Sequence, residues 1–384
     1  MKTIHIGILS IGSGVGQSVI ESLIIHNSSF ITHGIGNNPL AFGASACDFQ
    51  HIIPSFRSAD YVDVLIELCL DNSIEILIPG SDDEALILSL NLERFIANKI
   101  KVIVSDPRLM IILRDKFKLT DTFNSEQNVF VQSETLTSIL KRIENNEDVF
   151  PLIAKPKDGF ASKGIKIILN REDLVKVETN DVLQTCLIPC KEDSNYPRYI
   201  QMLNQHINPQ ISEYSYQVIF DTNSRPVHLM VSVNSLNNGV PIEIEPIFDE
   251  MLWVPIETII IKLSELGAKG PINIQGRWTD SGFQAFEINA RFTGITSLRA
   301  QLGFNEVLYC LELWCFSKSS QSMSIHPRKI GLRQTCNRSI SITHPILKTH
   351  SFKNGVRVKP RLLITGATGY LGYTLIEKFK NNYE

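Results

Sequence analysis

The 384-residue chain has no run of about 18 apolar residues, the length a membrane-spanning helix needs. It has no block of lysine and arginine, and the formal net charge is only -3. A nucleic-acid interface built on a basic face therefore has no support, and neither has a membrane span. The opening "MKTIHIGILS" passes directly into a strand pattern and lacks an apolar core followed by a small-residue cleavage site, so the cytoplasm is the expected compartment. Cysteine is sparse, seven residues scattered along the chain. Cys186 and Cys190 form a lone C-x-x-x-C with no second pair, which argues for reduced thiols over a zinc site. Low-complexity tracts and internal repeats are also lacking. What remains suits a globular protein with a substantial core, 43% of its residues being hydrophobic.

The first hundred residues alternate strand and helix. "TIHIGILS", "FITHGIG", "IEILIPGS" and "IKVIVSDP" read as buried strands. "VGQSVIESLIIHN", "YVDVLIELCLDN" and "DEALILSLNLERFIAN" read as the helices between them, which predicts a parallel sheet covered on both faces. This domain is expected to span residues 1–107, with "LMIILRDKFKLTDTF" as the helix leading out. The middle of the chain is strand-rich: "FPLIAKP", "GIKIILN", "YIQML", "EYSYQVIFD", "PVHLMVSVN", "PINIQGRWTD" and "FQAFEINARF". Turn signals at Asp221-Thr222-Asn223 and Asp280-Ser281-Gly282 join some of them into hairpins. The fold class is thus α/β plus α+β, a Rossmann-like domain followed by an antiparallel-sheet domain at 108–318. The Ser-rich "SKSSQSMS" marks the next boundary, and a C-terminal segment covers 319–360.

Four stretches carry chemistry. "IGSGVGQS" follows a strand and precedes a helix, but Gln17 stands where a dinucleotide fingerprint needs its third glycine, and a tight βα turn accounts for the glycines. In "LIAKPKDGFASKGIKII", Lys155 ends a strand and the loop carries Gly159, Ser162 and Gly164. A phosphate cradle and an ordinary hairpin with surface lysines fit equally well. In "FQAFEINARFTG", Glu287 and Asn289 share a strand face that Arg291 continues, and a hairpin brings Gln275 of "INIQGRW" beside Glu287. Hard oxygen ligands and a guanidinium fork suit Mg²⁺ and phosphate better than a solvated strand face. In "PGSDDEA", Asp82 and Glu84 follow a parallel strand, where ligands of open α/β sheets bind. They can hold a substrate ammonium, or Ser81 and Asp82 can simply cap the next helix.

"KPKDGFASKG", "EYSYQVIFD", "GPINIQGRW" and "FEINARFTG", in this order and preceded by "IPGSDDEALIL" and "LRDKFKLTDTF", resemble the ATP-grasp superfamily. The carbamoyl-phosphate-synthase-like members are nearest, and the resemblance covers roughly residues 1–315. It implies ATP and Mg²⁺ as cofactors. Lys116 and Lys155 would hold ATP phosphates beneath a lid at Asp158–Gly164 that includes Ser162 and Gly164. Gln201, Met202 and Leu203 would form the adenine hinge, and Glu213 would meet the ribose. Gln275, Glu287 and Asn289 would be the metal ligands, and Arg291 the arginine on the transferred phosphoryl group. The sequence departs from the family in three places: "NQHINPQIS" separates hinge from Glu213, Asn-Ala-Arg replaces the commoner Asn-Pro-Arg, and "VSVNSLNNG" lacks an Arg-x-Arg. The activity implied is a carboxylate–amine ligase that forms an acyl phosphate and releases ADP and phosphate, working on small-molecule substrates. A homodimer is compatible with it. The rivals are a carbamoyl-phosphate-type enzyme acting on bicarbonate, a nucleotide-binding domain without turnover, and an oxidoreductase or epimerase.

The last rival rests on "RLLITGATGYLGYTLIEKF" alone. With Gly366, Gly369 and Gly372 it resembles the first βα unit of a short-chain dehydrogenase or sugar-nucleotide epimerase. One strand and one helix make no cofactor cleft, because the switch point needs neighbouring strands. Residues 361–384 are therefore expected to be the start of a fused second enzyme, or a remnant dispensable for ATP chemistry.

Overall fold

Isoleucine and leucine at alternate positions of the first strands point to opposite faces, and both faces are buried. Ile6, Ile8, Ile76 and Ile78 pack on one side, and Leu9, Ile35, Ile74 and Leu77 on the other. A computed structural model describes residues 3–25, 30–125, 127–157, 164–319, 321 and 323–334. In it, β1 (His5–Ile8), β2 (Ile31–Gly36), β3 (Phe49–Ile52), β4 (Ile74–Ile78) and β5 (Lys101–Val102) form a parallel sheet in the order β3-β2-β1-β4-β5. Helix α1 (Gly14–Ile24) covers one face through Val19, Ile20 and Leu23. Helix α2 (Tyr61–Asp71) covers the other through Leu65, Ile66 and Cys69. The next helix, α3 (Asp82–Leu90), starts directly after β4. The long helix expected over "DEALILSLNLERFIAN" breaks at Asn91, and "LMIILRDKFKLTDTF" divides at Asp115, whose side chain accepts from the amides of Phe117 and Lys118.

The remaining sheets are antiparallel. A small one holds β6 (Leu152–Pro156), β7 (Lys166–Ile168) and β8 (Asp181–Thr185) in the order β7-β6-β8. The large one holds β9 (Ser212–Phe220), β10 (Pro226–Asn237), β11 (Val240–Ile247), β12 (Gly270–Thr279), β13 (Gly282–Asn289) and β14 (Gly331–Leu332), in the order β13-β12-β9-β10-β11-β14. Both anticipated hairpins form. Asp221 Oδ1 accepts from the amides of Asn223 and Arg225, and Gly282 takes a φ of +105° that favours glycine. Tyr216, Val218, Phe220, Ile272 and Ile274 of the large sheet share one apolar cluster with Leu9, Ile35 and Leu77, so the first sheet and the large sheet are built on one core.

Three expectations are corrected. "YIQML" is not a strand: it lies in the helix Tyr196–Asn204, with Pro197 in its first turn and Tyr199 and Leu203 buried. The edge strand β3 is not among the expected strands, because Gln50 and His51 break its apolar pattern. The boundary drawn at residue 318 falls before the large sheet ends, since β14 pairs with β11 through Glu243–Leu332 and Ile244–Gly331. Gly366, Gly369 and Gly372, with the whole segment 361–384, lie outside the described residues.

Three histidines run diagonally across β1, β2 and β3. His5 Nδ1 and His33 Nε2 are 2.9 Å apart, and His33 Nδ1 and His51 Nε2 are 2.8 Å apart. His33 is buried, and burial together with His51 and His5 lowers its pKa from 6.5 to about 4, against a smaller opposing pull from Asp48. A folded pKa below the unfolded one means that the unfolded chain takes up a proton the folded one refuses. The stability His33 contributes is therefore present above pH 6.5 and lost as pH falls toward 4. Melting temperature should fall through this window, and more shallowly in His33→Gln than in the parent; parallel curves would disprove the assignment.

Candidate active site

The register of β12 against β13 builds the centre of the site. Gln275 lies opposite Glu287 and Gly276 opposite Ala285, so Phe286 is an extra residue on β13. Such a bulge turns the strand and re-aims the side chains beyond it. Glu287 and Asn289 then face the same way as Gln275. Gly276 faces the core, where a Cβ would lie 2.2 Å from the Phe283 ring. On the neighbouring strands, Ser215 and Glu213 of β9 and Asn234 of β10 continue this polar face.

Hydrogen bonds link the face into a chain. Glu213 Oε1 accepts from Asn234 Nδ2 at 3.0 Å and from Gln275 Nε2 at 2.8 Å. Gln275 Oε1 accepts from Asn289 Nδ2 at 3.2 Å, and Asn289 Oδ1 accepts from Arg291 Nη2 at 3.1 Å. Burial pushes the Glu213 carboxyl up to about 7. The Asn234 and Gln275 bonds restrain that rise and the charge of Glu287 adds to it.

The small sheet supplies the opposing wall. Lys155 on β6 is half-buried with its ammonium 5.3 Å from the centre of the Phe286 ring, and desolvation lowers its pKa to about 8. Glu287 pulls that value up, and Lys116 and Arg277 push it down. Lys116 donates to the Lys157 carbonyl at 2.9 Å, just before the expected lid. Of that lid, residues 158–163, including Ser162, lie outside the described part; Gly164 has a φ of +74°. The structure therefore brings Lys116, Lys155, Glu213, Gln275, Glu287, Asn289 and Arg291 to one cleft.

Gln201, Met202 and Leu203 do not join them. Gln201 is exposed, and Leu203 packs beside Cys186 and Tyr199 in a small core. The chain leaves β8 at Thr185, and Cys186, which acts on the charge of Lys155, follows. Between β8 and β9 lies the helix Tyr196–Asn204, and residues 201–203 fall inside it. Arg277 ties the segment after β8 to the start of β9. Its Nη1 donates to the Leu187 carbonyl at 2.8 Å and its Nη2 to the Ser212 carbonyl at 2.7 Å, with its guanidinium over the Tyr199 ring. The sequence does carry a signal for it, since Arg277 lies two residues beyond Gln275 on the same strand face.

The first domain meets the end of this polar row at Arg291. Ser13 caps α1 by accepting from the Gly16 amide, and it donates to the Gly80 carbonyl at 2.9 Å, tying the turn after β1 to the turn after β4. A Cβ on Gly16 would lie 2.7 Å from the Ser10 carbonyl oxygen, so a tight turn accounts for this glycine. Beside it is a cavity of about 270 Å³ lined by Ser10, Ser13, Asn37, Asn38, Phe56, Tyr61 and Glu84, among others. Glu84 is 4% exposed and accepts from Tyr61 Oη, the Gly80 amide and Ser81 Oγ, while burial raises its pKa. Asp82 instead meets Arg291 Nη2 at 2.7 Å. Arg333 is a residue that sequence reasoning does not single out. Its amide is fixed on the Ile242 carbonyl and its guanidinium lies against Gly14 and Gly294, with no hydrogen bond or ion pair of that guanidinium among the described residues.

Residues 6–103 match the PylC-like, N-terminal domain family. No curated protein matches the sequence. Among solved structures, N5-carboxyaminoimidazole synthetase from Staphylococcus aureus, complexed with ADP, superposes with a TM-score of 0.64 at 15% identity, covering 86% of this chain and 81% of that one. Biotin carboxylase from Campylobacter jejuni gives 0.58 at 14% identity over 86% and 74%. L-amino acid ligase from Bacillus licheniformis gives 0.60 at 12% identity over 85% and 78%. The chain has the ATP-grasp fold. The parallel sheet is the domain that precedes the grasp, and the small and large antiparallel sheets are its two jaws. No helix among the described residues is long and apolar enough to cross a membrane.

Replacing Arg277 by methionine removes the donor that joins these jaws: the Ser212 carbonyl loses this partner, and the Leu187 carbonyl keeps only Tyr199 Oη. A buried group that loses its partner costs about 1–3 kcal/mol. Urea unfolding of Arg277→Met should show a loss of roughly 3 kcal/mol; a loss below about 1 kcal/mol would show that the latch is dispensable.

Proposed function

We propose that this protein is an ATP-dependent ligase that activates a carboxylate as an acyl phosphate for attack by an amine, with ADP and phosphate as products. The observation that carries the proposal is the hydrogen-bonded row Glu213–Gln275–Asn289–Arg291, facing Lys155 across the cleft. The S. aureus neighbour was crystallised with ADP and the C. jejuni neighbour as a β,γ-ATP complex, and the same fold here supports ATP with Mg²⁺. The donor set fits. Glu287, Asn289 and Gln275 offer one carboxylate and two amide oxygens, hard ligands suited to magnesium. Gln217, buried on the same face, has neither its amide nitrogen nor its oxygen paired among the described residues, and Arg291 Nε–H is likewise buried and unpaired. Buried polar groups of this kind are ordinarily satisfied, so a polar ligand is the natural partner.

In this reading Lys116 and Lys155 hold the phosphate chain, and Glu213 receives a ribose hydroxyl. Cys186–Ile188 borders the adenine in place of residues 201–203. Bound magnesium would neutralise the β and γ phosphates. Arg291 stabilises the charge on the transferring group, and no protein nucleophile is needed. A carboxylate is a poor electrophile, and phosphorylation gives it a leaving group.

The substrate's place is the mouth between the first domain and Arg291. Glu84 lines the neighbouring cavity of the first domain and takes a substrate ammonium or another donor. Arg333 offers a cation for a carboxylate. A cavity of about 270 Å³ exceeds what bicarbonate alone would fill, which favours a larger acid over the carbamoyl-phosphate reading.

Three outcomes test the proposal. Glu287→Gln should retain the fold and lower kcat at least 100-fold, equivalent to about 3 kcal/mol of barrier; a folded variant with parental turnover would remove the metal assignment. Glu84→Gln should raise KM for the acid or amine several-fold with ATP KM unchanged. AMP and pyrophosphate as the nucleotide products would exclude the acyl-phosphate route.

A further inference from the structure

The three acidic residues that open α3 have three different partners. Asp83 turns outward to Arg114 at 2.6 Å. Glu84 turns inward to Tyr61 and the Gly80 amide. Asp82 reaches 209 residues along the chain to Arg291, at 2.7 Å. The cap of α3 does not need Asp82, because Ser81 Oγ already accepts from the Glu84 amide at 3.2 Å. The side chains of Arg291 and Asp82 are only 15% and 23% exposed, so water screens this pair weakly.

We infer that Asp82 is a charge lock on Arg291: it positions the guanidinium at the end of β13, and its negative charge limits how strongly Arg291 draws an oxyanion. This rests on the ligase reading, in which Arg291 meets the transferring phosphoryl group. The arginine is held by three oxygens. Nη1 donates to the Phe292 carbonyl at 3.0 Å, and Nη2 donates to Asn289 Oδ1 and Asp82 Oδ2. Of its five N–H groups, the buried, unpaired Nε–H and the second Nη1–H are left for a ligand. The two protein anchors on Asn289 and Phe292 come from the same strand end as Arg291 and fix only its reach. Asp82 comes from the first domain and supplies the opposing charge. A carboxylate in direct contact with a weakly screened guanidinium cancels much of its pull on a third, anionic group. The lock therefore keeps phosphate from being held too firmly after transfer, and it places the helix that carries Glu84 against the strand that carries the metal ligands. Asp82 is in this view a positioning residue, not a ligand for a substrate ammonium.

Inorganic phosphate is the probe, titrated calorimetrically into the protein with and without saturating MgADP. Asp82→Asn should bind phosphate about tenfold more tightly than the parent, a difference of about 1.4 kcal/mol, with a steeper salt dependence. Asp82→Glu should restore parental affinity. The gain should vanish in Asp82→Asn combined with Arg291→Met. Asp82→Ser, a residue accepted in the first turn of a helix, serves if the asparagine variant does not fold. Phosphate affinity unchanged or weakened in a folded variant overturns the lock, as does a gain that survives Arg291→Met. MgADP binding to the parent is read in the same titrations. Its absence would sink the ligase reading, while the phosphate comparison without nucleotide still decides the lock.

Discussion

A buried polar row on one face of the large sheet is the constraint on which the rest depends. Glu213, Asn234, Gln275 and Asn289 lie where a sheet would ordinarily bury valine and isoleucine. Polar groups removed from water are destabilising unless each finds a partner. The chain of bonds from Asn234 to Arg291 provides most of those partners, and it works only in one register. A slip of β13 by one residue would turn Glu287 and Asn289 to the apolar side and strand Gln275. The extra residue at Phe286 holds that register, and the same residue places its ring beneath the Lys155 ammonium. The opposite face of the sheet, with Tyr216, Val218, Ile272 and Ile274, supplies the apolar burial that offsets this polar face.

The charges of the cleft are adjusted by one another. Lys155 falls to about 8 through desolvation, with Glu287 restraining the fall; Glu213 rises to about 7 through desolvation, with two amide donors restraining the rise. Both groups thus change protonation close to neutral pH. A cleft in this condition responds strongly to an arriving charge. A polyanion beside Lys155 favours its ammonium form, and a cation beside Glu213 and Glu287 favours the carboxylates. In the proposed ligase, magnesium and a nucleotide phosphate chain would bring both changes together.

Much of this is legible in the sequence, for reasons that differ by residue. Glu287 and Asn289 can be placed because strand periodicity is two and the hairpin at Asp280–Gly282 fixes their neighbour. Lys155 can be placed because it ends an apolar run. The hinge cannot. Its position is set by where β8 stops, and the helix Tyr196–Asn204 contains "YIQML", a run with enough Ile, Leu and Tyr to imitate a strand. Only the tertiary burial of Tyr199 and Leu203 decides that it is helical. β3 is hidden for the opposite reason, since its half-exposed edge position tolerates Gln50 and His51. Arg333 has no local signal at all. Its meaning comes from two glycines, Gly14 and Gly294, which are remote in sequence and leave room for a guanidinium between them.

The fate of "PGSDDEA" shows how helix chemistry and site chemistry can share one turn. Acidic residues favour a helix N-terminus whatever else they do, because they face the positive end of its dipole. That preference alone would explain Asp82, Asp83 and Glu84, and would leave their side chains interchangeable. They are not interchangeable in the fold. One faces solvent with Arg114, one is buried under the cavity with Tyr61, and one bridges to Arg291. Successive residues of a helix project about 100° apart, so a single turn at the carboxyl end of β4 can address three surroundings at once. The glycine turn after β1 is held against this same turn by the Ser13–Gly80 bond. The first domain thereby reaches the polar row of the large sheet through α3, whose start is fixed to the end of the strand that bears the expected metal ligands.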